Sequence, residues 1–256
     1  MSNAEDRTEA ARFRAVLDGY YADPARRPSF VRDLFNRSAQ YYDGVNQLFS
    51  LGTGAWYRRR CLRRAGVRPG VRVIDVAVGT GLLAREAVAL TGARAAVIGV
   101  DVSEKMLAIA QRKLGILLVQ ATAEALPLAP AIADVVTMGY ALRHVADLEA
   151  TFREALRVLR PGGTIELLEI SVPRGRLGRA VATFFIGGVI PFLSLLVARD
   201  RRASRLMHYH WETILHYMPP EIVMKVMRES GFHNVGCASE FDLFHHYSGQ
   251  KPQEST

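Results

Sequence analysis

The chain has few of the residues that build disulfide frameworks or metal centres. Its two cysteines, Cys61 and Cys237, lie far apart among 256 residues, and neither has metal-ligand spacing around it. This scarcity excludes a disulfide-stapled module and favours a reducing compartment, with no metal site. Residues 1–18 are polar and mixed in charge, unlike a secretory signal, so we expect a cytoplasmic protein.

Acidic residues are outnumbered, with 25 Asp and Glu against 33 Lys and Arg and a formal net charge of +8. Such an excess is compatible with RNA or anionic lipid as a partner. Because the arginines are scattered along the chain, we interpret them as a solvated surface. The sequence has no aromatic–basic stacking platform and no Asn/Asp-Pro-Pro-Tyr tetrapeptide, so we expect no nucleic-acid partner.

Long uncharged stretches are also scarce, and the longest is residues 180–198. Its 19 residues reach the lower limit for a membrane span, but Gly187, Gly188 and Pro191 interrupt it. We therefore predict a buried or lid-forming helical insertion at about 175–217. Its apolar surface suits a lipid-like substrate, and the arginines beside it would allow peripheral membrane contact.

Residues 71–78 form a nearly continuous apolar run that is rich in β-branched side chains. This pattern predicts a strand buried on both faces of a parallel sheet. The run ends in Gly79-Thr80-Gly81, and a helical pattern begins at Leu82. Glycines permit a sharp turn and a close approach of the backbone to a ligand at the helix N-terminus. We predict a nucleotide-like cofactor at this turn.

Two acids indicate which cofactor this is. Asp101 lies 20 residues beyond Gly81, where an acid ending the second strand can accept hydrogen bonds from ribose hydroxyls. Asp75 lies inside the first strand, where burial is costly unless a cation or donor faces the carboxylate. The methionyl ammonium of S-adenosylmethionine offers both, whereas a dinucleotide pyrophosphate offers neither. We favour the methyl donor; a nicotinamide-dependent oxidoreductase stays open, because Gly79-x-Gly81-x-x-Ala84 also fits the dinucleotide fingerprint.

The rest of the chain alternates helical and strand patterns, which predicts a doubly wound α/β fold with a parallel sheet. Residues 1–64 are predicted to form an N-terminal helical cap, either closing over the ligand or packing on the sheet edge, and residues 65–256 the cofactor-binding domain. Ser103 is a predicted N-cap. Further strands are predicted at 114–120, 134–139 and 163–170, with a final hairpin at 234–237 and 241–246.

Several motifs accompany these elements: Tyr42-Asp43-x-x-Asn46, Asp75-Val-Ala-Val-Gly79-Thr80-Gly81, Ala123-Glu124-Ala125-Leu126-Pro127, Leu142-Arg143-His144-Val145 and Arg160-Pro161-Gly162-Gly163. On them, residues 35–248 resemble the ubiquinone/menaquinone biosynthesis C-methyltransferase family. This family is a branch of the class I S-adenosylmethionine-dependent methyltransferases. The resemblance implies a seven-stranded Rossmann-like methyltransferase sheet with a helical insertion before the last two strands.

The resemblance also implies a set of residues around the methionine, ribose and adenine parts of S-adenosylmethionine. They are Asp75, Ala77, Gly79, Thr80, Gly81, Asp101, Val102, Met106, Thr122 and Ala123.

For catalysis, the resemblance implies that a ring carbon of a reduced quinol attacks the sulfonium methyl, without a metal. Arg143 is our candidate for stabilising the phenolate, because a guanidinium is effectively always protonated. His144 is the candidate for accepting the phenol proton, and Tyr42 for orienting the ring. A structural pair of Arg143 with an acid such as Asp147, and a surface position for His144, are the alternatives.

The chain departs from the family pattern at several points. Leu82 replaces the usual Asp after the glycines, Gln47 an acid, and His144 an Asn, and the link before the third strand is short. These departures leave the acceptor open between a quinol and another phenolic or polyketide-like molecule of secondary metabolism, methylated on carbon or oxygen. A homodimer and a non-catalytic relic of the fold also stay open.

Overall fold

The computed structural model describes residues 27–50, 52–173, 175–189, 209, 211–215, 217–240 and 242–253. The helices are α1 (Arg27–Ser50), α2 (Gly54–Arg64), α3 (Leu82–Thr91), α4 (Glu104–Leu114), α5 (Leu148–Val158), α6 (Arg176–Phe184) and α7 (Pro220–Glu229). The strands are β1 (Val73–Val76), β2 (Val97–Asp101), β3 (Leu117–Gln120), β4 (Ala133–Gly139), β5 (Leu159–Ile170), β6 (His233–Glu240) and β7 (Phe244–Gln250).

The strands form one seven-stranded sheet in the order β3-β2-β1-β4-β5-β7-β6. Strands β1 to β5 pair in parallel, whereas β7 runs antiparallel to both β5 and β6. This arrangement confirms the predicted doubly wound α/β sheet with a terminal hairpin. The hairpin strands are longer than predicted, because β7 pairs along its whole length with β5.

Backbone conformation explains where other predicted boundaries were wrong. β1 ends at Val76 because Ala77 adopts a left-handed conformation, with φ of 56°, that turns the chain out of the sheet. Leu114 belongs to α4, and Gly115 caps this helix with φ of 59°, so β3 begins only at Leu117. β5 begins at Leu159, before the predicted turn, because Leu159 already pairs with Ala133 across a bulge.

Apolar side chains fill both faces of the sheet. On one face, Ile74 and Val76 pack with Phe152 of α5 and Val223 of α7. On the other face, Val73 packs in a cluster that includes side chains of α2 and α3. Because side chains alternate along a strand, Asp75 points toward this second face. The carboxylate is therefore directed to the layer that holds α2.

Helix α1 is fastened across the carboxyl ends of β1 and β2. Asn36 accepts a hydrogen bond from the Ser103 hydroxyl (2.6 Å) and donates one to Glu104 (2.8 Å), at the start of α4. Thr80, in the turn after β1, donates a hydrogen bond to Asp43. Residues 1–26 of the predicted cap lie outside the described residues.

The predicted apolar insertion is described only in part. Residues 180–189 form the end of α6 and a π-helical turn, Phe185–Val189, and residues 190–208 lie outside the described residues. Of the helices in the described part of the chain, none combines the length and the apolar character needed to cross a membrane.

The packing of the turn before α3 can be tested with two glycines, one at each end of this helix. A Cβ on Gly81 would lie 2.6 Å from Leu114 Cδ1, whereas a Cβ on Gly92, at the other end of α3, would meet no atom within 4 Å. Both glycines have positive φ, so each Ala substitution costs about 1–2 kcal/mol of backbone strain. We expect Gly81→Ala to lower the free energy of unfolding by roughly 1 kcal/mol more than Gly92→Ala. Urea unfolding measures this difference, and equal losses would contradict tight packing at Gly81.

Candidate active site

A cleft of about 810 Å³ opens at the carboxyl ends of the parallel strands. This edge is where ligands bind in open α/β sheets, because the loops after neighbouring strands diverge there. Its walls come from α1 and from the loops after β1, β2, β3 and β4. The lining residues include Val31, Phe35, Tyr42, Ala77, Gly79, Asp101, Val102, Met106, Ala121, Thr122, Ala123, Glu124, Tyr140, His144 and Val145.

The turn after β1 forms the floor of this cleft. Ala77, Gly79 and Gly81 all have positive φ, at 56°, 56° and 87°, so the chain doubles back sharply before α3 begins. A Cβ on Gly79 would meet no protein atom within 4 Å. The missing side chain therefore leaves open space, and Gly79 lines the cleft.

Asp101 is held in one orientation by backbone amides. Its Oδ2 accepts a hydrogen bond from the Gly79 amide and its Oδ1 one from the Ser103 amide, both at 2.8 Å. Burial raises the pKa of Asp101 to about 6, and these amides oppose that shift. Each carboxylate oxygen has a further lone pair, so Asp101 can still accept hydrogen bonds from a diol at the end of β2.

Asp75 is more deeply buried, with 1% of its surface exposed. Its Oδ1 accepts a hydrogen bond (2.8 Å) from the hydroxyl of Thr137, its register partner on β4. Among the described residues, none hydrogen-bonds its Oδ2. Burial raises the pKa of Asp75 to about 7, with Thr137 opposing the shift. Asp75 lines a side pocket of about 350 Å³ that shares Tyr42, Ala77 and Gly79 with the cleft.

Aromatic side chains surround His144 at the other end of the cleft. Its ring stacks on Tyr209 at 5.4 Å between centroids and meets Phe35 edge-on at 5.3 Å. Its Nδ1 lies within hydrogen-bond distance of the Tyr209 hydroxyl, at 3.1 Å. These contacts hold His144 in place, and its side chain lines the cleft. His144 is buried, so the alternative that it is a surface histidine is wrong.

Arg143 lies beneath the cleft lining. Its Nη1 donates a hydrogen bond to Glu169 on β5 at 2.6 Å, and both side chains are buried. The other oxygen of Glu169 accepts a hydrogen bond (2.9 Å) from the Leu142 amide. Glu169 therefore fastens the 3₁₀ turn that carries His144. Asp147, the acid named as an alternative partner of Arg143, instead caps α5 by accepting from Ala150.

The predicted cofactor residues mostly come together. Seven of them line the cleft: Ala77, Gly79, Asp101, Val102, Met106, Thr122 and Ala123. Asp75 and Thr80 line the side pocket, whereas Gly81 lines neither space and supports the turn. Of the catalytic candidates, Tyr42 and His144 line the cleft and Arg143 does not.

Sequence reasoning missed four polar or aromatic residues around this site. They are Arg58, Thr137, Tyr140 and Glu169. Arg58 lies in a run of three arginines that looked solvated, and Thr137 and Glu169 lie inside apolar strands. Glu169 carried the same signal as Asp75, a charge in a buried strand, and could have been found by it.

Most of the chain is similar to known methyltransferases. Residues 23–241 match the ubiE/COQ5 methyltransferase family. The ubiquinone/menaquinone biosynthesis C-methyltransferase UbiE of Shewanella frigidimarina is 33% identical over 224 residues, covering 85% of this chain and 88% of that protein. The protein of the same name from Shewanella sp. (strain W3-18-1) is 29% identical over 249 residues, covering 94% of this chain and 96% of that protein.

Solved methyltransferase structures share the fold. A SAM-dependent methyltransferase of Thermotoga maritima superposes with a TM-score of 0.61 at 22% identity, covering 86% of this chain and 99% of that one. Phosphoethanolamine N-methyltransferase 2 of Haemonchus contortus, solved with S-adenosyl-L-methionine, superposes with a TM-score of 0.61 at 18% identity. The match covers 87% of this chain and 60% of that one. The family match over most of the chain and this fold together mean that the chain belongs to the ubiE/COQ5 methyltransferase family and is an S-adenosylmethionine-dependent methyltransferase.

Proposed function

We propose that this enzyme transfers a methyl group from S-adenosylmethionine to a ring carbon of a reduced, demethylated quinol of ubiquinone or menaquinone biosynthesis. The observation that carries the proposal is that Asp101 and His144 line the same cleft. One end offers acceptors for a ribose, and the other offers aromatic walls and a titratable ring.

The chain's own groups fit S-adenosylmethionine. No described residue hydrogen-bonds the Oδ2 of buried Asp75, so this oxygen needs a donor, and the α-ammonium of a methionyl group is a cationic one. Asp101 would accept hydrogen bonds from the ribose hydroxyls, and Met106 and Ala123 would flank the adenine. When bound, S-adenosylmethionine supplies a methyl group on a positively charged sulfur, which a carbon nucleophile can attack directly.

The acceptor end of the cleft suits a flat, apolar molecule. Val31, Phe35, Tyr42 and Val145 contribute apolar or aromatic surface around His144. A quinol ring fits such walls, and its hydroxyl needs only one or two polar partners. The relatives named for quinone biosynthesis favour this acceptor over a product of secondary metabolism, and the family match does not favour an oxidoreductase.

The protein has two chemical tasks, to orient the ring and to favour its ionised form. His144 would accept the phenol proton, with the hydroxyl of Tyr209 fixing its ring. Burial raises the pKa of Tyr42, which keeps this hydroxyl protonated and able to donate a hydrogen bond to the phenolate. Arg143 would act as a positioning residue, because its ion pair with Glu169 holds the turn that carries His144.

Methyl transfer to a quinol tests the proposed function. With S-adenosylmethionine, we expect the purified protein to C-methylate a short-tailed demethylated quinol and to leave the corresponding oxidised quinone unchanged, because only the reduced ring is nucleophilic. His144→Phe should lower turnover by roughly 100-fold or more, since it removes the proton acceptor. Mass spectrometry of the product measures both effects.

A matched control is His233→Phe, which changes an exposed histidine at the start of β6. This variant should keep wild-type turnover. Methylation of the oxidised quinone, or O-methylation alone, would contradict C-methylation of a quinol. Unchanged turnover in His144→Phe would remove His144 from the mechanism.

Cofactor binding should depend on pH, because Asp75 and Asp101 must both be ionised to accept hydrogen bonds from the ligand. Their pKa values in the free protein are about 7 for Asp75 and about 6 for Asp101, so protons compete with the ligand as the pH falls. We expect the Kd of S-adenosylhomocysteine to rise between pH 8 and pH 6, by up to about tenfold per pH unit below the pKa of Asp75. Calorimetry at several pH values measures this rise.

The variant Asp75→Asn isolates the contribution of the first acid. It should bind the ligand more weakly at pH 8 and lose most of the pH dependence between pH 8 and pH 6. A variant that keeps the wild-type slope in this range would show that Asp75 is not the titrating group.

For access to a lipid-like acceptor, we propose that α6 contacts an anionic bilayer. Leu177, Val181 and Phe184 recur at helical spacing and are 80%, 59% and 73% exposed. Arg176 and Arg179 lie exposed on the same helix. Apolar side chains can enter the headgroup boundary while arginines meet anionic lipids.

Sedimentation with vesicles tests this contact. We expect the protein to bind vesicles that contain phosphatidylglycerol more strongly than vesicles of phosphatidylcholine alone. Phe184→Glu should weaken binding severalfold, because it places a carboxylate in the apolar face. Trp56→Glu, on α2, is a control for loss of an exposed aromatic elsewhere. Equal binding of wild type and Phe184→Glu would contradict the contact.

A further inference from the structure

The side pocket beside the cleft contains a second buried charge, the guanidinium of Arg58. Only 7% of Arg58 is exposed, although the two residues that follow it on α2, Arg59 and Arg60, are exposed and half-exposed. It lines the side pocket together with Asp75, Asn46 and Tyr140. A guanidinium is effectively always protonated, so this buried position holds a permanent positive charge.

The contacts of this guanidinium are with neutral groups. Its Nη2 lies 3.5 Å from the amide oxygen of Asn46, and its Cζ lies 5.7 Å from the centre of the Tyr140 ring. The conformation of Tyr140 is unusual for a non-glycine residue, with φ of 60° directly after β4. Among the described residues, the contacts of this buried cation are a neutral amide and an aromatic face, which is costly unless an anion enters the pocket.

The pocket therefore offers two opposite charges to a small ligand. Asp75 contributes an oxygen that no described residue hydrogen-bonds, and Arg58 contributes a cation. A carboxylate and an ammonium on one carbon atom match this pair, which is the chemistry of an α-amino acid. Tyr42, Ala77 and Gly79 line both the pocket and the cleft, so a ligand in the cleft can extend its tail into the pocket.

We propose that Arg58 binds the α-carboxylate of the methionyl group of the methyl donor, opposite Asp75 and the α-ammonium. The inference rests on the proposed function, because it assigns one end of the same ligand. The Arg58 fork would donate paired hydrogen bonds to the carboxylate, which gives both affinity and orientation. Arg58 thereby selects ligands that carry the complete amino-acid tail.

The experiment compares two ligands that differ only in the carboxylate. S-adenosylhomocysteine has this group, and its decarboxylated analogue, S-adenosyl-3-thiopropylamine, lacks it. We expect the wild-type protein to bind S-adenosylhomocysteine about 10- to 100-fold more tightly than the amine. Arg58→Met should weaken binding of S-adenosylhomocysteine by about the same factor and change binding of the amine by no more than about threefold. Calorimetry measures all four values.

Two further variants complete the test. Arg63→Met changes an exposed arginine of the same helix and should bind both ligands like wild type. Arg58→Lys keeps the charge but loses the fork, so it should discriminate between the ligands to an intermediate degree. This variant and the wild-type pair of ligands decide the question even where Arg58→Met does not fold.

Two outcomes would overturn the inference. They are equal binding of the two ligands by the wild type, and unchanged discrimination in Arg58→Met or, where that variant does not fold, in Arg58→Lys. Failure of the folded wild type to bind either adenosyl ligand would overturn the proposed function as well. Tight wild-type binding of both ligands with equal affinity would overturn only the role of Arg58.

Discussion

A carboxylate buried inside β1, that of Asp75, is the constraint around which the site is built. An acid in this position would be costly without compensation, because a buried charge needs a partner. The register of β1 against β4 places the hydroxyl of Thr137 beside one oxygen of Asp75, and no described residue hydrogen-bonds the other oxygen. In the proposed complex, the α-ammonium of the methyl donor would complete the arrangement.

The cleft and its side pocket together combine two environments. Toward β1 and β2, backbone amides, carboxylates and a buried arginine provide fixed charges and dipoles. Toward His144, aromatic and aliphatic walls dominate. A polar, charged donor and a flat apolar acceptor can therefore lie side by side. Holding two reactants at fixed positions removes much of the entropic barrier to their reaction.

The ion pair between Arg143 and Glu169 lies outside the cleft lining but holds the turn that carries His144, which lines the cleft. Both groups are buried, and removing either one would leave an uncompensated charge. Glu169 also binds the Leu142 amide, so the pair holds the short turn that carries His144. The identity of the arginine's partner could not be read from the sequence, because Glu169 is 26 positions away and on a different element.

The local sequence pattern determined much of the fold and the position of the ligand-binding edge. The apolar run of β1, the glycine turn, the acid after β2 and the alternation of strands and helices predicted the sheet, the edge that binds the ligand and the class of cofactor, because each depends on neighbouring residues. The tertiary structure alone decided the burial of Arg58, the hydrogen bond of Thr137 to Asp75, the partner of Arg143 and the length of the final hairpin. These features depend on which distant elements pack together, and an arginine or threonine has the same local pattern on a solvated face as in a pocket.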